Sequence, residues 1–238
     1  MAKSKKKSKS TSKSSSMFVF WTIGIIAAFV LGFIFLGNHP KSGEQAKTKD
    51  SIDYSNQPFL GKQSAPVSII EFGDYKCPNC KNFTENVVPT IQKEMVDTGQ
   101  AKFYFMNDAF IFDDSIRSAK FAESVFQELG NDPFWKFHEL LYKNQPEDAK
   151  AEKMDIYDEK FLVNILKQVA SDDDVNKVVE NFRAKKSDAA FKKDMDLAGA
   201  LGVTGTPTFY INGKQFNGQT MDDLKKMVDK AAKEKGNE

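Results

Sequence analysis

The sequence predicts an α/β domain whose strand–helix–strand opening is interrupted by an all-helical insert and completed after it, with a membrane-spanning helix ahead of the whole. Three observations carry that reading. An apolar, β-branched run at 66–72 leads straight into a helix and then a second strand; a wholly helical pattern fills the middle of the chain; and a strand, a hairpin and a last helix follow it. The expected organisation is a basic head at 1–17, a membrane-spanning segment at 18–37, a linker at 38–57, a first α/β part at 58–112, a helical insert at 113–200 and a second α/β part at 201–238.

The head carries Lys3, Lys5, Lys6, Lys7, Lys9 and Lys13 and no acid. From Phe18 to Leu36 no residue is charged, about 19 residues or roughly 28 Å of helix, enough for a bilayer core. The run is longer than a cleavable signal's apolar region and ends in Leu36-Gly37-Asn38-His39-Pro40 instead of a small-residue cleavage site, so it is read as an uncleaved signal-anchor. The positive-inside rule keeps the head in the cytoplasm and sends the rest outward, giving a single-pass protein of the cell membrane with an extracytoplasmic domain. No Cys lies near the run to take a lipid. Residues 38–57 are polar and read as a flexible tether.

The 34 basic and 33 acidic residues nearly balance, but without the six head lysines 28 face 33. A mildly acidic body has no clustered basic face for nucleic acid, and no nucleic-acid partner is expected.

Pro66 to Phe72 reads as a buried central strand ending at Gly73-Asp74. The spacing of Phe83, Val87, Ile91 and Met95 is helical, with Pro89 as a kink and Gly99 as the stop, and Ala101 to Met106 is a second strand. A right-handed crossover joins the two if they are parallel. In the insert, Ile116, Ala119, Ala122, Phe126 and Leu129 form one helical stripe closed by Gly130, and Asp132-Pro133 caps and opens the next helix. Phe161 to Val169 mark a third helix, and Ser171 or Asp172 caps a long fourth with Val175, Val178, Val179 and Phe182. Strand signals return at Thr206 to Ile211, Asn212-Gly213 is a two-residue hairpin turn, Lys214 to Phe216 is the return, and an amphipathic helix starts at Met221.

Cys77-Pro78-Asn79-Cys80 stands after a strand and opens a helix, the setting in which a C-x-x-C is a redox motif. At a helix N-terminus the Cys77 thiolate meets free N–H groups and the positive dipole end. A thiol of pKa near 8.5 is only about 3 % thiolate at pH 7. Stabilising the thiolate favours the reduced pair, and a protein whose reduced form is favoured gives its disulfide away. Zinc lacks ligands, since the chain has two Cys and two His, with His39 in the linker and His138 in a helix. A structural disulfide across so short a loop contributes little, and an exported chain has little reason to keep two free thiols in contact.

Glu71 lies inside the apolar strand six residues before Cys77. Buried there, its pKa is raised, and it can exchange protons with Cys80; an ordinary polar strand position is the alternative. A proline at the head of a central strand, as in Thr206-Pro207, is expected to be cis, which frees the N–H and C=O of Thr206 for a substrate strand; a trans proline at a strand edge is the alternative. His138 lies in an aromatic helix and is read as a packing residue. The run Asp172-Asp173-Asp174 can help bind Ca²⁺, but helix capping explains it without a ligand.

Taken together, Ala65-Pro66-Val67 through Cys80, Phe134-Trp135 with His138 and Leu141, and Gly205-Thr206-Pro207-Thr208-Phe209 with Asn212-Gly213 resemble the DsbA-type thiol oxidases of the thioredoxin superfamily, and more closely the Gram-positive membrane-anchored BdbD-like members. The resemblance covers roughly Pro58 to Ala232. It implies a thioredoxin-like fold, Cys77 as the exposed nucleophile, Cys80 as the buried resolving thiol, Pro78 and Asn79 as the active-site loop, Pro207 as a cis-proline with Thr206 before it at the substrate site, and Glu71 as the buried acid. It also implies oxidation of reduced exported polypeptides, reoxidation by a quinone-linked membrane partner, and no cofactor beyond the redox-active disulfide. Asn79 departs from the family, standing where well-studied members carry His. Two other functions fit the same residues: an extracytoplasmic reductase or isomerase, and a peptide-binding or chaperone module that uses the Cys pair little.

Overall fold

The computed structural model of the chain describes residues 52–236. The head, the apolar run and residues 38–51 of the linker lie outside them, and among the described residues no helix is long and apolar enough to cross a membrane.

The fold is thioredoxin-like with a helical insertion. Its sheet has the order β1-β3-β2-β4-β5, with strands β1 at Phe59–Leu60, β2 at Val67–Gly73, β3 at Ala101–Asn107, β4 at Thr208–Ile211 and β5 at Lys214–Gln215. Only β2 and β3 pair in parallel, from Val67 beside Ala101 to Gly73 beside Asn107; β4 runs antiparallel to β2, with Glu71 beside Phe209. All seven residues of β2 are buried, as its unbroken apolar run requires of a strand covered on both faces.

After β2 come α1 at Pro78–Asn86 and α2 at Val88–Ile91, and then a π-helical turn at Gln92–Val96. The expected single kinked helix is in fact broken at Val87. Pro89 has no N–H to give and its ring opposes the preceding turn, so the helix restarts with Pro89 in its first turn. Gly99, at φ +78°, ends the unit as expected.

The insert holds α3 at Asp113–Leu129, α4 at Asn131–Lys143, a 3₁₀ turn at Ala149–Lys153, α5 at Glu159–Leu166, α6 at Asp172–Arg183 and α7 at Asp188–Leu201. Two expectations change here. Ile116 is 39 % exposed, whereas Phe121 and Val125 are fully buried. The buried stripe of α3 includes Ser115, Ser118 and Ser124, which the pattern counts as polar; Ser118 satisfies its hydroxyl on the carbonyls of Asp114 and Ser115. Asp132 is not a cap but lies in the first turn of α4, behind Gly130. The long fourth helix ends at Arg183, and α7 starts afresh after Lys185 at φ +58°. Ser171 caps α6.

The chain returns through β4, an Asn212-Gly213 turn with both φ values positive, and β5, ending in α8 at Met221–Gly236. That turn is the predicted hairpin. Lys214 and Gln215 alone form β5; Phe216 still donates its N–H to Phe209 O at 2.8 Å.

One continuous core joins Val67, Ile69, Phe103, Phe105 and Ile211 of the sheet to α1, the insert, and Leu224 and Val228 of α8. The insert is therefore built into the same core as the sheet. On the other face, Ile70, Phe72, Tyr104 and Tyr210 pack against Ala198 of α7 and against Ile52 and Tyr54. The packed domain thus includes Ile52, Tyr54 and the buried Gln57, all within the segment expected to be linker.

Candidate active site

Cys77 is the N-cap residue of α1, with Pro78 in the first turn, because β2 ends at Gly73 and the turn 74–77 closes through Cys77 N–H on Asp74 O at 2.9 Å. Gly73 has no room for a side chain: a Cβ would fall 2.5 Å from Phe105 Cε2. The pair is held as two thiols. Cys77 keeps 5 % of its surface and Cys80 none, so Cys77, expected to be exposed, is nearly buried and only slightly more accessible than Cys80.

The two thiols are driven apart chemically. Cys77 is held down to about 6 from its ordinary 9.0, first by the S–H of Cys80 and then by the Thr206 hydroxyl and the backbone N–H groups of Cys80 and Asn79, against the opposing effect of burial. These are the free donors of a helix start. Cys80 is pushed strongly up, chiefly by burial, then by its bond to Cys77 and by the charge of Glu71.

Glu71 is fully buried and its carboxyl is raised well above the usual range, by burial first and by Cys77 second. Neither carboxyl oxygen has a hydrogen-bond partner among the described residues. The alternation of β2 puts it on the face of Val67 and Ile69, the face α1 covers.

The Thr206-Pro207 bond is cis. As a thiol, Cys77 donates to Thr206 O at 3.3 Å. Along the outer edge of β4, β5 and Phe216 cover only Phe209 to Ile211, so residues 206–208 extend past the paired edge beside the Cys pair.

His138 is a packing residue, as expected: it is 1 % exposed, burial holds it down to about 3, and Phe105, Trp135 and Tyr142 surround it edge-on. Its Nδ1 shares a hydrogen bond with the Tyr75 hydroxyl, 3.0 Å away.

Sequence reasoning missed the residues that fix the turn ahead of Cys77. Lys76 is 2 % exposed, and its ammonium reaches Asp114 at 3.0 Å and the carbonyls of Ala151 and Met154 at 2.7 Å each. Tyr75 O accepts from Gln145 and Tyr157, and Asp74 accepts from Lys76 N, Phe110 N and Ile111 N. The insert thus holds Tyr75 and Lys76, and the Tyr142 hydroxyl of α4 donates to Asp74 O at 3.2 Å, so all three residues before Cys77 are fixed from it. The signal was a lone Lys between two apolar-flanked motifs, Asp74-Tyr75 and Cys77-Pro78.

The acidic run 172–174 is helix-start chemistry: Asp172 is exposed, and Asp174 takes Lys177 at 2.8 Å and the Ser171 hydroxyl. Among the described residues no three His, Cys, Asp or Glu side chains cluster. An oxygen set lies elsewhere. Asp194 accepts from Gln57 at 2.6 Å and from Asn107, Asn107 also donates to Glu123 at 2.8 Å, and all four are buried. Gln57 Oε1, Asn107 Oδ1 and Glu123 Oε2 have no partner among the described residues, and burial raises both carboxyls. Two carboxylates and two amide oxygens are hard donors of the kind Ca²⁺ takes.

Residues 53–230 match the family model described as Thioredoxin. The chain is 35 % identical to disulfide bond formation protein D of Bacillus subtilis over 200 residues, 84 % of each chain. It is likewise 35 % identical to the probable disulfide bond formation protein D of Bacillus anthracis over 187 residues, 79 % of this chain and 83 % of the relative. Among solved structures, oxidised BdbD of Bacillus subtilis aligns at a TM-score of 0.69 and 34 % identity over 76 % of this chain and 95 % of that one.

Proposed function

From the premise that the chain belongs to the DsbA-type thioredoxin-like proteins and is a thiol–disulfide oxidase, close to the Bacillus disulfide bond formation proteins, we propose that its Cys77–Cys80 disulfide is handed to reduced exported polypeptides outside the cytoplasm. A substrate thiolate attacks Cys77 sulfur, the Cys77–Cys80 bond breaks, and Cys80 leaves. Its high proton affinity calls for a proton at that moment, and the protonated Glu71 supplies it. A second substrate thiolate then attacks the substrate sulfur of the mixed disulfide, closing the substrate's disulfide and releasing Cys77 as the stabilised thiolate. Two substrate thiols are oxidised and the Cys pair is reduced.

Asn79 contributes its backbone N–H at the helix start, and Thr206 and Pro207 take the substrate backbone along the uncovered edge of β4. The run 18–37 tethers residues 58–112, 113–200 and 201–238 to the outer side of the cell membrane, where a quinone-linked membrane thiol oxidase restores the disulfide.

The carrying observation is the split between the two thiols, one held down to about 6 and the other pushed up. The deciding experiment equilibrates the Cys pair with glutathione and follows oxidation of a reduced, unfolded test protein. An oxidant leaves the pair reduced at ratios where a cytoplasmic thioredoxin stays oxidised. A potential as low as thioredoxin's overturns the oxidase direction. Membrane fractionation tests the tether separately.

A further inference from the structure

The end of the domain farthest from the Cys pair has its own charge. Ala65 and Pro66, before β2, share a groove of about 1000 Å³ with Ile52, Tyr54, Asn212 and the outer face of α8. Lys102, Lys214, Lys226, Lys230 and Lys235 line it, against Asp223 and Glu234. Of the two acids, Asp223 is engaged by Thr220 and the N–H of Gln219 at the start of α8, and Glu234 by Lys214 at 3.2 Å. The opposite end is acidic: the cleft against Pro78 is lined by Glu85, Glu147, Asp148 and Glu152, with Lys81 and with Lys76, whose charge is already paired with Asp114. Beyond Ser51 the chain carries 25 basic and 31 acidic residues, so the lysine groove runs against the sign of its own domain.

The two ends are separated by the length of β2, about 20 Å at roughly 3.3 Å per residue. The chain enters the domain in this groove, at Ile52 and Tyr54.

We infer that this lysine groove is a contact face for an anionic lipid surface, which holds the tethered domain with Cys77 turned away from the bilayer between its encounters with the membrane partner that reoxidises it. The inference rests on the tethered reading of residues 18–37. Negative lipid headgroups attract the groove and repel the acidic cleft, so both ends favour the same orientation, and the attraction falls off within a Debye length of about 8 Å at physiological salt.

The test uses the full chain, floated with vesicles of phosphatidylcholine alone and with vesicles that also contain phosphatidylglycerol. Acetylation rates at individual lysines are read by mass spectrometry. Lys214, Lys226, Lys230 and Lys235 should react roughly threefold or more slowly on the anionic vesicles, recovering in high salt, while Lys143 and Lys160 keep their rates. The variant Lys226→Glu, Lys230→Glu, Lys235→Glu should lose the protection with its disulfide-exchange rate unchanged. Equal rates on both vesicles overturn the inference. Flotation with phosphatidylcholine alone reports the tether independently: a chain that floats only with anionic vesicles, with those lysines protected, keeps the face and removes the anchor.

Discussion

The carbonyl oxygen of Thr206 lies 3.3 Å from the sulfur of Cys77, which ties the start of α1 to a loop 129 residues further along the chain. Because a carbonyl accepts from a thiol and gives nothing to a thiolate, this contact belongs to the protonated nucleophile. The Thr206 hydroxyl and the helix N–H groups belong to the ionised one.

Alkylation should report that titration. With Cys77 held down to about 6, the reduced protein should react at Cys77 with a pH midpoint near that value, and Cys80 should stay unmodified through neutral pH. Peptide mapping of the labelled protein checks both. Equal labelling of the two, or a midpoint above 8, removes the assignment.

Glu71→Gln keeps the shape of the side chain and removes its exchangeable proton. The exchange rate at neutral pH should fall about 100-fold, the lower range for losing a positioned acid–base group. Since neither carboxyl oxygen has a partner, the melting temperature should not drop. A large loss of stability with an unchanged rate would assign Glu71 a structural role only.

The redox motif, the strand–helix–strand opening, the Asn212-Gly213 hairpin and the buried acid were legible because each is written in local chemistry: a turn residue, an apolar run, a helix start. What escaped depends on who packs against whom. Lys76 reads as a solvent-facing lysine until Asp114, 38 residues on, and two carbonyls of the insert close around it. The oxygen cluster draws Asn107, Glu123 and Asp194 from three separate elements and Gln57 from the segment before β1, with no spacing to betray it. Ile116 misled because α3 turns a serine-rich face inward.

Lys76→Met leaves the Asp114 carboxylate buried without its cation. Breaking one side of a buried pair costs about 3–5 kcal/mol, and urea unfolding should show a loss in that range. Asp114 still serves Ile156 N and Tyr157 N, so adding Asp114→Asn, which keeps an acceptor oxygen and drops the charge, should recover much of it. No loss in the single variant would mean that Lys76 is not fixed as described.

The oxygen cluster predicts that Ca²⁺ raises the thermal unfolding midpoint and that a chelator lowers it. Glu123→Gln together with Asp194→Asn should abolish the response, and substitutions at Asp172 to Asp174 should not. Equal midpoints with and without Ca²⁺ would leave the cluster as a purely hydrogen-bonded one.

The last expectation joins stability to redox direction. A thiol whose folded pKa is depressed adds stability that is complete above its unfolded value and disappears as the pH falls through the folded one. For Cys77 that window runs from about 6 to 9.0. Three units correspond to about 4 kcal/mol above the window, and about 1.4 kcal/mol of it is present at pH 7. Only the reduced protein gains this, because a disulfide cannot ionise. The buried Glu71 is present in both redox states, so its own penalty largely cancels in the difference. Urea unfolding of the reduced and oxidised forms at pH 5, 7 and 9 should therefore show the reduced form gaining on the oxidised one as pH rises. That gain is the driving force for giving the disulfide away. A difference that stays flat from pH 5 to 9 would show that the Cys77 thiolate does not supply it.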